Sequence, residues 1–258
     1  MKRLLLAALL LPLALAAGSA VLDGVGFVWR APANPGGNSR IMVLFGGRNW
    51  PGEKTLEAFR FDALADRHGL FLLAPSFRDR EYWEPGAWSG PLLLRAVAML
   101  EREYGLKPGK LMLYGYSAGG QCANLFYAWM PERVAAWGAH GCGVYFRAAV
   151  PPEPVPALLS CGVRDEQRFA ISREFVYRYR EAGGPLLWKY DGDAGHELGP
   201  EALALARAWF DALLSGEGAG TYGEDYTKRI VPASRAESID PEFRNPLYGG
   251  AVTELWLK

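Results

Sequence analysis

Short unbroken apolar runs alternate along this chain with longer stretches in which apolar residues recur every three or four positions. Arg40–Phe45, Leu70–Ala74, Lys110–Tyr114, Val134–Gly138, Ala157–Gly162 and Pro185–Tyr190 are runs of the first kind, the pattern of strands buried on both faces. The helical period fills Gly52–His68, Trp88–Tyr104, Ala118–Met130, Phe169–Glu181 and Pro200–Leu214. Strand then helix, repeated, predicts an α/β fold with a mostly parallel central sheet and helices on both faces. Sites in such sheets gather at the C-terminal ends of the strands. The short interval between Gly141 and Ala157 holds Pro151, Pro152, Pro154 and Pro156, which leaves no room for a helical lid domain.

The two ends of the chain break this rhythm. Lys2 and Arg3 precede an apolar run, Leu4 to Ala17, and the small residues Gly18-Ser19-Ala20 follow it. That is the layout of an export signal over residues 1–20, so a secreted or periplasmic protein with no stable membrane insertion after cleavage is expected. An uncleaved anchor is the competing reading, but Pro12 and the shortness of the run disfavour a spanning helix. No cysteine follows the run, which argues against a lipid anchor. Residues 21–215 then form the main domain. Residues 216–258, rich in Gly, Pro, Tyr and charge, are expected to wrap it as a belt.

With 258 residues, half of them apolar, the chain is large enough for one full hydrophobic core. It carries 28 basic and 28 acidic residues without a basic block, so nucleic acid is not an expected partner; oligomeric state is left open. Cys122, Cys142 and Cys161 are an odd count in apolar contexts, which predicts buried small hydrophobes; a Cys122–Cys142 bridge is the alternative.

The chemistry begins at LMLYGYSAGG, Leu111 to Gly120. Gly115-Tyr116-Ser117-Ala118-Gly119 matches G-x-S-x-G between a predicted strand and a predicted helix, the context in which that motif holds a serine hydroxyl out at a sheet edge. The turn is too tight for side chains two positions before or after the serine, and the helix that follows aims free N–H groups at the same place.

A serine nucleophile needs a base, and the chain has three histidines. His68, beside Gly69 at a helix end, fits a helix-dipole role; His140, just past a strand, fits a neighbour or core histidine. His196, in the loop between the last strand and last helix of the repeat, is the candidate base. Asp165, in the loop after Ala157–Gly162, is the candidate acid, with Glu166, Asp191 and Asp193 as rivals. The backbone N–H of Ala118 and that of Gly47, or next Arg48, are the candidate oxyanion donors.

These residues resemble the α/β-hydrolase superfamily, through the Gly115–Gly119 elbow, the order Ser117, Asp165, His196, and the segment Ala63 to Pro75. Within it the chain looks most like small, lidless secreted esterases of the feruloyl-esterase and polyhydroxybutyrate-depolymerase type. Where those often have His-Gly at the oxyanion strand, this chain has Phe45-Gly46. The resemblance implies a single α/β-hydrolase domain and hydrolysis of a small-molecule or polymer-borne ester through an acyl-enzyme, with no metal and no cofactor. Gly119-Gly120 is also similar to the prolyl-oligopeptidase catalytic domain, which keeps peptidase activity as an alternative, and a non-catalytic binding protein on the same fold is a third reading. Trp50, Trp83 and Trp88, with Tyr116 beside the serine, are the candidate substrate-binding residues; Tyr82 belongs to the same aromatic group. Packing into the core is the competing role for these rings.

Overall fold

The computed structural model describes residues 17–79, 81–145, 151 and 153–258. Strands β1 (Ala17–Leu22), β2 (Val25–Arg30), β3 (Arg40–Phe45), β4 (Leu70–Pro75), β5 (Leu111–Tyr116), β6 (Val134–His140), β7 (Ala157–Gly162) and β8 (Leu186–Asp191) make one sheet. Their order is β1-β2-β4-β3-β5-β6-β7-β8. β1 and β2 are antiparallel, β2 runs antiparallel to β4, and every pairing from β4 to β8 is parallel.

The helices are α1 (Gly52–Phe59), α2 (Asp62–His68), α3 (Gly90–Tyr104), α4 (Ala118–Trp129), α5 (Glu166–Glu181), α6 (Pro200–Leu214) and α7 (Gly249–Leu257). Alternation along the strands explains their placement. Ile41, Val43 and Phe45 point to the layer holding α3, α4 and α5, whereas Met42 and Leu44 point to the layer holding α1, α2, α6 and α7. Both faces are covered, so the central strands read as unbroken apolar runs.

Three local features differ from the expectation or add to it. The stretch Gly52–His68 is two helices, because Arg60 adopts a left-handed conformation (φ 53°, ψ 50°) and its N–H caps α1 at the Leu56 carbonyl. Phe59 and Phe61 are both fully buried; an unbroken helix would set them roughly 200° apart, and the break sends both into one core. Second, the β1–β2 hairpin turns at Asp23-Gly24, both at positive φ (48° and 80°), a two-residue turn that this dipeptide suits. Third, the tail folds into a small antiparallel sheet of β9 (Thr221–Glu224), β10 (Ile230–Pro232) and β11 (Arg244–Leu247), followed by α7 against α6.

The three cysteines are buried and unpaired, so the Cys122–Cys142 bridge does not form. Burial pushes the Cys142 and Cys161 thiols up to about 12, which keeps them neutral. Of the 1–20 leader, residues 1–16 lie outside the described residues; Ala17–Ala20 are in β1, with Gly18 opposite Trp29. Among the described residues no helix is long and apolar enough to cross a membrane.

Candidate active site

β5 runs straight into α4, and the turn between them is as tight as the glycines suggest. A β-carbon on Gly115 would overlap the Gly119 carbonyl, and one on Gly119 would overlap the carbonyls of Phe45 and Gly46. Ser117 sits between them at φ 55°, ψ −119°, a conformation that costs on the order of 1–3 kcal/mol in a residue with a side chain. Its N–H donates to the His140 carbonyl at 2.9 Å, which ties the elbow to the end of β6.

His196 comes from the loop after β8 and Asp165 from the loop after β7. Ser117 Oγ lies 2.9 Å from His196 Nε2, and His196 Nδ1 lies 2.6 Å from Asp165 Oδ2. Only a proton on Nδ1 satisfies the carboxylate, so Nε2 accepts from the serine hydroxyl. Asp165 is 9% exposed, and its other oxygen accepts from Arg168 Nη1 at 2.9 Å. Of the rival acids, Asp193 pairs with Arg164 and Asp191 accepts from the Asp193 N–H. Glu166 is the first residue of α5.

The two loops are stitched together by their backbones. Val163 N–H donates to Asp191 O at 2.8 Å and Arg164 N–H to Ala194 O at 3.0 Å. At Gly162 a β-carbon would overlap the Ala194 and Gly195 carbonyls, so the close approach of the histidine loop requires glycine there. Tyr116 Oη donates to the His196 carbonyl at 2.8 Å, and its ring stacks on the imidazole at 5.3 Å. The other neighbour is His140, 5% exposed. Its Nε2 faces the Glu197 carbonyl and therefore carries the proton, while Nδ1 accepts from Ser160 Oγ, both at 2.8 Å. Burial pushes the His140 pKa below its ordinary value of 6.5, against the opposing pull of that carbonyl, so this ring is neutral.

The first hydrogen bond of α4 runs from Gln121 N–H to Ser117 O, so the amides of Ala118, Gly119 and Gly120 precede any intrahelical partner. The loop after β3 presses on this turn through the Gly119 contact, bringing Gly46, Gly47 and Arg48 alongside it. Trp50 N–H donates to Gly47 O at 3.0 Å, and Asn49 N–H donates to Tyr82 Oη at 3.3 Å.

A cavity of about 320 Å³ opens at Ser117. Trp83, Ala118, Arg48 and Arg168 are among its walls. The other predicted aromatics lie elsewhere. Trp50 packs beneath the loop after β3 against Tyr116 at 5.6 Å, with the Lys54 ammonium 4.0 Å over its ring. Trp88 packs on Phe77 and borders the core, and Tyr82 is buried at 3% exposure. Tyr116 is turned toward His196, away from the cavity. His68 pairs with Asp211 of α6 at 2.6 Å, far from the serine in the fold. Among the described residues no group of three or more His, Cys, Asp or Glu side chains could hold a metal ion.

Sequence reasoning missed the wall residues Arg168, Gln121 and Gln167, and named Arg48 only for its backbone N–H, not for its side chain. Arg168 was the most findable, three residues after Asp165 at the start of a predicted helix, where side chains at that spacing meet.

The sequence matches no protein-family model and no curated protein. The fold does match solved structures. The poly(3-hydroxybutyrate) depolymerase from Bordetella parapertussis aligns with a TM-score of 0.59 over 79% of this chain and 94% of its own, at 19% identity. A ferulic acid esterase aligns at 0.59 over 78% and 96%, with 13% identity. The fluorophosphonate-binding serine hydrolase F of Staphylococcus aureus aligns at 0.59 over 79% and 97%, with 11% identity. The chain has the α/β-hydrolase fold, shared with esterases and other serine hydrolases.

Proposed function

We propose that this protein is a serine esterase acting through Ser117, His196 and Asp165. The observation that carries the reading is the continuous hydrogen-bonded line of 2.9 Å and 2.6 Å from the hydroxyl of a strained elbow serine to a buried carboxylate. As Ser117 Oγ attacks an ester carbonyl, its proton passes to His196 Nε2, and Asp165 stabilises the imidazolium that forms. The N–H groups of Ala118 and Gly47 donate hydrogen bonds to the carbonyl oxygen as negative charge develops on it. His196 then returns the proton to the departing alkoxide, and the same imidazole activates water to release the acyl group.

The test is mass spectrometry of the folded protein after exposure to a fluorophosphonate. A single adduct on Ser117, lost in His196→Ala, is expected. Ser117→Ala should abolish ester turnover with little change in melting temperature, since only the hydroxyl is removed. A well-folded protein without an adduct would instead point to a non-catalytic binder.

The reading extends to export. Ala14-Leu15-Ala16 has the small-residue spacing that signal peptidase accepts, and Ala17 is the first residue of β1, paired with Arg30. Cleavage after Ala16 would leave the hairpin whole, whereas cleavage after Ala20 would remove most of β1. The N-terminal sequence of the exported protein distinguishes the two.

A further inference from the structure

The cavity at Ser117 has an unusual polar lining. Among the described residues its charged and amide side chains are Arg48, Gln121, Gln167 and Arg168, all able to donate hydrogen bonds, and none of its described lining residues is a carboxylate. The two arginines differ in how far they are neutralised. Arg168 gives one N–H to Asp165, and its side chain, 37% exposed, runs beside Gly143, with Nε 3.4 Å from where a β-carbon there would lie. Arg48 is exposed, and among the described residues it has no carboxylate within ion-pair distance. It directly follows Gly47, so its guanidinium is carried by the loop that flanks the reacting carbonyl.

A neutral ester gains nothing specific from two guanidinium groups, which would instead stay hydrated. A planar carboxylate matches the guanidinium fork, and Trp83 supplies an apolar wall for the atoms between it and the scissile bond. We propose that this site selects esters bearing a carboxylate a few atoms from the scissile carbonyl, with Arg48 as the principal contact and Arg168 as the second. The inference rests on the esterase reading and adds the substrate class to it.

Two ester pairs test it, each a carboxylate against its methyl ester. Phenyl hydrogen adipate against phenyl methyl adipate puts the carboxylate on the acyl side. 4-Carboxyphenyl butyrate against its methyl ester puts it on the alcohol side. The expected result is a preference of about tenfold in kcat/KM for the charged member of one pair, weakened by salt and reduced severalfold in Arg48→Gln. The ratio within a pair cancels any general loss in Arg168→Gln through its contact with Asp165. Equal rates within both pairs, or a preference unmoved by either substitution, would overturn the proposal.

Calorimetry on Ser117→Ala keeps the question separate from catalysis. Binding of monomethyl adipate should be about tenfold tighter than binding of dimethyl adipate, and 4-carboxyphenyl butyrate is compared with its methyl ester in the same way. No charge preference in either comparison overturns the inference. Failure of both the adduct test and all turnover would sink the esterase reading alone, and the binding result would still decide on the anion.

Discussion

Helix α5 carries an aspartate–arginine pair at each end, and burial gives the two pairs opposite uses. At the N-terminal end Arg168 holds one oxygen of Asp165 while the other oxygen faces His196, and the arginine keeps part of its surface in the cavity. At the C-terminal end Arg180, Asp225 and Asn245 are all 5% exposed or less. Arg180 donates to Asp225 at 2.7 Å, to the Glu242 carbonyl at 2.6 Å, to Asn245 at 2.7 Å and, more weakly, to the Leu186 carbonyl. Nothing of that guanidinium is left for another partner. It clasps the tail sheet to α5, because removing a partner inside would leave an uncompensated charge out of water. The open pair, with hydrogen-bonding capacity unspent, is the one that can take part in chemistry.

The sharpest way to break the comparison is to neutralise the aspartate at each end. Asp165→Asn should lower kcat by about 10⁴-fold, because the amide no longer enforces the Nδ1–H tautomer or stabilises the imidazolium, while melting changes little. Steady-state kinetics beside a thermal melt reads both. Asp225→Asn should do the reverse. It costs about 3–5 kcal/mol of stability and lowers Tm by roughly 10 °C, with turnover per folded molecule retained at low temperature. Loss of turnover in Asp225→Asn with melting unchanged would erase the distinction between the two ends.

A smaller, pH-dependent effect sharpens it. His140 stands next to the open pair but is sealed from water, and burial holds its pKa below 6.5. The unfolded chain therefore takes up a proton before the native state does. Stability is unaffected above about pH 6.5 and falls as pH drops from there toward the lowered native value. Melting curves between about pH 7.5 and 5 should show this loss in the wild type and a shallower slope in His140→Gln. Equal slopes would mean that the ring takes up its proton in place.

The legible parts of the site were those with a local cause. The spacing of Gly115, Ser117 and Gly119 between a strand and a helix is a statement about one turn, and His196 followed from having three histidines to sort. The choice among Asp165, Glu166, Asp191 and Asp193 was different in kind. All four stand in or at the edge of two loops that meet because Gly162 lets the histidine loop lie on the end of β7. Its place beside the serine suggests a substrate contact for Tyr116. Strand alternation turns it the other way, onto the His196 carbonyl. Among the tryptophans, Trp83 reaches the cavity while Trp50 packs under the loop after β3 and Trp88 on Phe77 at the core, a division set by side-chain direction. The Asp23-Gly24 hairpin was legible and overlooked, since its strand β1 is an edge whose residues alternate only between exposed and half-buried.

The sequence by itself determined the layered α/β architecture, because both faces of the central strands are apolar and the intervening helices carry one apolar side each. It also determined that a serine would be held in a strained turn, because only glycines tolerate the overlaps on either side. Tertiary structure decided which carboxylate meets the histidine, that among the described residues two arginines and no acid line the cavity, and that the tail closes on Arg180. Those outcomes depend on the approach of loops far apart in the chain. A pair potential between charges is the same wherever it is written in the sequence, and only the fold fixes how much water it keeps.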